Sequence, residues 1–200
     1  MAVKGILFDL GGTLIDYTNK GSGYYSYLSS ISGKSEELVC EVVERHLPAF
    51  WKGKMKKIEF ERAIARRIGI KASEVRWYEY YAEHMKVRNS MVMLAKKLGE
   101  SYKVGYLSNI DRSLFFFNLK AFDQGIFAYR FASCFIGYAK PEREIYEYAI
   151  KRMGLPADEV VFIDNEYENV IGARRIGIKA ILFKSFNMLL RELKGLVKVW

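Results

Sequence analysis

The chain reads as an α/β protein, a parallel sheet flanked by helices, with a small helical segment inserted after the first strand. Three observations carry this. Short apolar runs recur at about residues 3–8, 102–107, 131–136, 160–163 and 179–183. Helix-length amphipathic stretches separate the later runs, the alternation expected of parallel strands joined by crossovers. Residues about 17–88 break that rhythm and read as several helices. The chain therefore divides into a core of residues 1–16 and 89–200 and an insertion of residues 17–88.

The first run, Val3 to Phe8, delivers Asp9 into Leu10-Gly11-Gly12-Thr13-Leu14. Two glycines after an acid permit tight backbone curvature and close approach of a ligand, because no Cβ intervenes. In the insertion, helices are expected over 35–51 around Leu38, Val42 and Val43, over 57–68, and over 73–86 with Val75, Tyr78, Ala82 and Met85 on one face. Ser35 and Ser73 suit helix starts. From Pro141 to Gly154, Ile145, Ala149 and Met153 recur every four residues. Glu142 and Glu144 fall at the positive end of that helix, Lys151 and Arg152 at the negative end, and Gly154 stops it. A further helix, about 166–176, carries Val170 and Ala173 and ends at Gly177. Residues 194–200 give no assignment. Ligands of parallel sheets bind at the carboxyl ends of the strands, where Asp9, Ser108 and Asp164 all fall.

A chain of 200 residues, half of them hydrophobic, can bury a core of its own. No run of about 18 apolar residues indicates a membrane span. The first residues lack the basic, apolar and small-residue succession of a signal peptide, and the only cysteines, Cys40 and Cys134, suit a reducing compartment, so a cytoplasmic protein is expected. The net charge of +9 raises the question of nucleic acid. The basic cluster of Lys52, Lys54, Lys56, Lys57, Arg62, Arg66 and Arg67 is its best support. Phe60, Ile64 and Ile68, however, repeat every four residues, and Arg62 and Arg66 fall on another face. That pattern argues for a solvated basic face rather than a nucleic-acid stripe. Such a surface also draws small anionic substrates toward a cleft.

Four motifs occur in order: Asp9-Leu10-Gly11-Gly12-Thr13-Leu14, Leu107-Ser108-Asn109, Lys140-Pro141 before a helix, and Phe162-Ile163-Asp164-Asn165 followed by Glu168-Asn169. Together they resemble the haloacid dehalogenase-like (HAD) hydrolase superfamily, in its capped phosphatase and dehalogenase branch. The resemblance implies a Rossmann-like core with residues 17–88 as the cap. It further implies a phosphatase using Mg²⁺ on a small phosphorylated metabolite. In that scheme Asp9 is the nucleophile, forming an aspartyl-phosphate, and Lys140 screens the charge. Leu10, Gly11, Ser108, Asn109 and Lys140 hold the phosphate. Asp9, the Gly11 carbonyl and the acid after the strand at 160–163 hold the metal. Asp164 is preferred there because a charged oxygen holds Mg²⁺ better than an amide, with Asn165 the alternative. The physical need is plain: two unit negative charges at 4 Å repel by about 4 kcal/mol at an effective dielectric near 20.

One departure matters. Phosphatases of this family carry a second aspartate two residues after the nucleophile, where this chain has Gly11. Loss of a general acid and base costs roughly 10²–10⁴ in rate. Three outcomes are open: a phosphatase that manages without the acid, a 2-haloacid dehalogenase-like enzyme, or a weakly active or non-catalytic member.

Overall fold

An apolar run without polar alternation requires cover on both faces, and β1 (Gly5–Phe8) has it, with all four residues buried. The chain then passes through the glycine turn into β2 (Ile15–Tyr17) and the helices α1 (Ser22–Ser32), α2 (Glu36–Trp51), α3 (Lys57–Ile68), α4 (Ala72–Val75) and α5 (Trp77–His84). β3 (Met85–Val87) returns antiparallel to β2, Ile15 opposite Val87, so a two-stranded ribbon ties together the ends of the helical stretch. Next come α6 (Asn89–Leu98), β4 (Lys103–Ser108), α7 (Arg112–Asn118), β5 (Tyr129–Ala132) and α8 (Ser133–Ile136). α9 (Arg143–Met153), β6 (Val160–Asp164), α10 (Tyr167–Arg175), β7 (Lys179–Leu182) and α11 (Phe186–Lys194) complete the order. The computed structural model describes residues 2–17, 22–123 and 125–198. Positions 18–21 of the expected insertion, and Val199 and Trp200 of the unassigned tail, lie outside them.

The five main strands form one sheet in the order β5-β4-β1-β6-β7, every neighbouring pair parallel. This is the α/β class read from the sequence. Successive side chains of a strand point to opposite faces, and two cores result. Ile6, Phe8, Val104, Tyr106, Val161 and Ile163 enter one, together with Phe50, Phe60 and Trp77 of the helical stretch. Leu7, Leu107, Val160 and Phe162 enter the other, with Ile145 and Ala149 of α9 and Val170 and Ala173 of α10. Each large side chain so buried contributes roughly 1.5–3 kcal/mol. The chain builds outward from β1 through β4 and β5, then returns to add β6 and β7 on the other side. The strand order therefore reverses between β1 and β6, and a crevice opens at their carboxyl ends.

Several expected elements are corrected. Residues 131–136 are not one strand: β5 ends at Ala132 and 133–136 turn helical. Ser133 accepts the Ile110 amide at 3.0 Å, and the Gly137 amide closes on the Ser133 carbonyl at 2.9 Å. The helix expected over 73–86 breaks at Arg76, whose φ of 48° is left-handed, and Met85 leaves it for the ribbon. The break lets Trp77 enter the aromatic core, with ring centroids 5.1 Å from Phe60 and 5.2 Å from Tyr24. Ser73 caps nothing; Lys71 precedes α4, and Glu74 accepts its amide at 2.7 Å. Ser35 does cap α2, accepting the Leu38 amide at 3.3 Å. Pro141 and Glu142 precede α9 instead of opening it. Phe60, Ile64 and Ile68 are buried while Arg62 and Arg66 face solvent.

Candidate active site

Asp9 follows β1 directly, and its amide donates to the Ile163 carbonyl of β6 at 2.8 Å, which holds its backbone against the neighbouring strand. Asp164 ends β6. Between the two carboxylates stands Lys140, from the loop between α8 and α9. Its Nζ lies 2.5 Å from Asp9 Oδ1 and 2.6 Å from Asp164 Oδ2, and the three side chains are only 1%, 8% and 0% exposed. A lone buried charge costs several kcal/mol, so each group makes burial of the others tolerable. Burial pushes the Asp9 carboxyl up to about 7, with Lys140 opposing the rise and Asp164 adding to it. For Lys140, burial pulls the ammonium down, but the attraction of Asp164 and Asp9 outweighs it and the net shift is upward. The lysine is therefore charged near neutral pH.

The surrounding residues hold this set rigidly. Asp164 accepts the Glu166 amide at 2.8 Å and the Asn169 side-chain amide at 3.1 and 3.2 Å. Asn169 is held in turn by Tyr146, whose hydroxyl donates to its carbonyl at 2.8 Å. Asn109 uses its whole side-chain amide on the Lys140 backbone, donating to the carbonyl at 2.9 Å and accepting from the amide at 2.8 Å. Leu10 to Ile15 close the turn, with the Gly12 amide on the Ile15 carbonyl at 2.7 Å and the Ile15 amide on the Leu10 carbonyl at 2.8 Å. Gly12 has φ of +83°, and a Cβ there would stand 2.5 Å from Asn165 Nδ2. The missing side chain lets Asn165 fold across the turn, where Thr13 donates to its Oδ1 at 3.3 Å.

A cavity of about 920 Å³ opens above this floor. Asp9, Leu10, Gly11, Ser108, Asn109, Lys140 and Asn165 all line it, whereas Asp164 lies fully buried beneath its wall. The structure thus gathers every residue singled out from sequence, with Asp164 one layer below the others. The ribbon and helical stretch supply Tyr17, Tyr25, Leu47, Trp51, Trp77 and Tyr81. Of the α1 tyrosines, Tyr25 reaches the cavity. Tyr24 is buried and donates to the Val75 carbonyl at 2.9 Å, and Tyr27 donates to the Glu74 carbonyl at 2.7 Å. Asp111 was missed: its Oδ1 caps α7 through Ser113 and Leu114, and its Oδ2 accepts the Trp77 indole N–H at 2.9 Å. An Asp before a helix signals a cap, but nothing local signals a cavity wall.

Known proteins sharpen the picture. A family model of haloacid dehalogenase-like hydrolases matches residues 3–177. The drimenol cyclase of Aspergillus calidoustus is 26% identical to the chain, which spans 36% of that enzyme, about a third of its length. The sesquiterpene phosphatase of Aspergillus oryzae is 24% identical, with 97% of this chain and 96% of that protein covered. A HAD family enzyme of Bacteroides thetaiotaomicron superposes with a TM-score of 0.81 at 24% identity, covering 96% of this chain and all of that one. A structure of the same enzyme with magnesium and inorganic phosphate gives 0.77 at 22% identity, over 95% of this chain and 100% of that one. At these identities the superpositions show a shared fold. With the family model matched across most of its length, the chain belongs to the haloacid dehalogenase-like hydrolases.

Proposed function

We propose that this hydrolase is a magnesium-dependent phosphatase that takes the phosphoryl group of a phosphorylated small molecule onto Asp9. The buried Asp9–Lys140–Asp164 set on the cavity floor carries the reading. Asp9 attacks phosphorus, the bond to the leaving oxygen breaks, and its electron pair departs on that oxygen. Water then attacks the same phosphorus, releasing inorganic phosphate and restoring the carboxylate. Lys140 orients Asp9 and balances charge as it develops. The Leu10 and Gly11 amides and the Ser108 hydroxyl hold phosphate oxygens. Asn109 acts chiefly by fixing Lys140.

The donors present fit a hard dication. The Asp9 carboxylate, the Gly11 carbonyl and the Asn165 amide oxygen belong to residues sharing one cavity wall. Mg²⁺ keeps several waters and is commonly held through one or two carboxylates plus substrate phosphate. Among the described residues no group of three or more His, Cys, Asp or Glu side chains could hold a metal, so the site draws on carbonyl and amide oxygens. Asp164, preferred from sequence as the direct ligand, already accepts from Lys140, Asn169 and Glu166. Its role becomes anchoring Lys140, and Asn165 takes the metal. Bound Mg²⁺ would cancel the repulsion between Asp9 and an anionic substrate.

We assign residues 17–88 as a cap over a core of residues 1–16 and 89–200, since the cap side supplies Tyr25, Trp51, Trp77 and Tyr81 to the cavity. No helix among the described residues is long and apolar enough to cross a membrane. The free thiols Cys40 and Cys134 support a place in the reducing cytoplasm, and a titration finding fewer than two thiols in denatured protein purified under thiol block would remove that support. Two comparisons support the reaction: a relative named as a phosphatase and a fold neighbour that holds magnesium and phosphate. The test is hydrolysis of p-nitrophenyl phosphate with and without Mg²⁺. Turnover should need the metal and vanish in Asp9→Asn. Activity that persists in chelator and in the variant overturns the mechanism, and metal-free halide release from 2-halo acids would install the dehalogenase reading.

A further inference from the structure

Gly11 leaves the leaving oxygen without a carboxyl acid, and among the described residues the other carboxylates of the cavity lining are paired or exposed. Asp111 is occupied as an acceptor by the Trp77 indole and two amides. Asp16 pairs with Arg88 at 3.1 Å, and Glu44 accepts the Tyr25 hydroxyl. Glu166 and Glu168 are exposed carboxylates. Tyr17 stands nearest, its Cε2 being 3.4 Å from where a Cβ on residue 11 would lie. A general acid works best with a pKa near the working pH, and a phenol ordinarily titrates near 10, so Tyr17 is a poor donor.

The walls add a second constraint. Tyr17, Tyr25, Leu47, Trp51, Trp77 and Tyr81 make one side of the cavity aromatic and apolar. Its volume of about 920 Å³ far exceeds one phosphate and suits a drug-sized apolar body. Two cations also line it. Lys184 is exposed and forms no ion pair among the described residues. Arg88, paired with Asp16 through Nη2, keeps a buried Nε without a hydrogen-bond partner. They are suited to a second anionic group beside the one at Asp9.

Building on the phosphatase reading, we infer that the substrate is the diphosphate ester of a bulky apolar alcohol, its apolar body against the aromatic wall and its terminal phosphoryl group at Asp9. Asp9 attacks the terminal phosphorus and the bridging P–O bond breaks, its electron pair leaving on the monophosphate ester. Water hydrolyses the aspartyl-phosphate, and its two protons end on the inorganic phosphate or in solvent. A phosphate monoester needs no proton to depart, because its second pKa is about 6. An alkoxide is about as basic as hydroxide, whose conjugate acid has a pKa of about 15.7.

The experiment compares dodecyl diphosphate, dodecyl monophosphate and butyl diphosphate with the full chain and Mg²⁺, following released phosphate and identifying the organic product by mass spectrometry. Dodecyl diphosphate should give the monophosphate at a kcat/KM at least about 10²-fold above that for dodecyl monophosphate, the low end of what a general acid is worth. It should also exceed butyl diphosphate, by up to about fourfold per added methylene that becomes buried. Gly11→Asp, at a position without left-handed φ and with its nearest neighbour at 3.4 Å, should narrow the first gap by accelerating the monophosphate. Equal rates on monophosphate and diphosphate, indifference to chain length, or monophosphate turnover abolished by Tyr17→Phe would each overturn the inference. Turnover of p-nitrophenyl phosphate without any on the diphosphates sinks this inference alone. Failure on every phosphate compound sinks the phosphatase reading with it.

Discussion

Replacing Lys140 by methionine keeps a long apolar stem and removes only the charge. Asp9 and Asp164 then face each other across the vacated position. Their oxygens lie 2.5 and 2.6 Å from the same nitrogen. They are thus within about 5 Å of each other, where two unit charges repel by about 3 kcal/mol at an effective dielectric of 20. Removing one partner of a buried ion set generally costs about 3–5 kcal/mol. At pH 8, without metal, Lys140→Met should therefore lose about 3 kcal/mol or more of unfolding free energy. The loss should shrink in acid. Asp9, already raised by burial to about 7, loses the opposing attraction of Lys140 and rises further. Both folded proteins then bind a proton that the unfolded chain, with an ordinary Asp pKa near 3.9, does not hold. Both must gain stability as pH falls from 8 toward 5, the variant more because its Asp9 pKa is the higher. Urea denaturation of both proteins in chelator at pH 8 and 5.5 measures the difference. A deficit below about 1 kcal/mol at pH 8, or one unchanged at pH 5.5, would show that no buried charge set of this kind exists.

The turn and the cavity wall give two more expectations. Gly12→Ala should lose about 1–2 kcal/mol for a side chain at left-handed φ, with a further penalty for pushing Asn165 aside, since the new Cβ would stand 2.5 Å from its amide. Thermal melts measure the first effect, and a raised Mg²⁺ requirement for turnover measures the second; an unchanged requirement would separate Asn165 from the metal. Trp77→Phe keeps an aromatic ring but deprives buried Asp111 of the indole donor at 2.9 Å. It should cost about 1–3 kcal/mol, more than the neighbouring Tyr78→Phe, and equal melting temperatures would refute that bond's weight.

Much of the cavity floor was legible because its signals are short. A buried strand followed by an acid and two glycines is written in consecutive residues, and Asp9 to Gly12 behave accordingly. The same holds for Ser108 at the end of β4 and for the apolar spacing of α9. The errors arose where neighbours distant in sequence intervene. Residues 131–136 look β-rich throughout, yet Ser133 engages the Ile110 backbone and the strand stops. Residues 73–86 hold a helical period, yet the aromatic core claims Trp77 and forces a left-handed Arg76. Between Asp164 and Asn165, charge favours the acid as a metal ligand. The proposed metal site turns to Asn165 instead, because the fold supplies Asp164 with an ammonium and amide donors and lays Asn165 over Gly12.

Local order along the chain settles the parallel strands, the glycine turn and the supply of an acid, a lysine and a second acid at strand or loop ends. Hydrophobic period and turn chemistry act over a few residues, so those features are present before the chain meets itself. The Asp9–Lys140 contact joins residues 131 positions apart, and which oxygen is free for a ligand depends on what the fold packs behind it. The aromatic wall is likewise assembled from the ribbon and three separate helices. Charge pairing in a dry interior and shape across a cavity are properties of that assembled whole, which is why the residues of the cavity floor could be anticipated one by one while their arrangement could not.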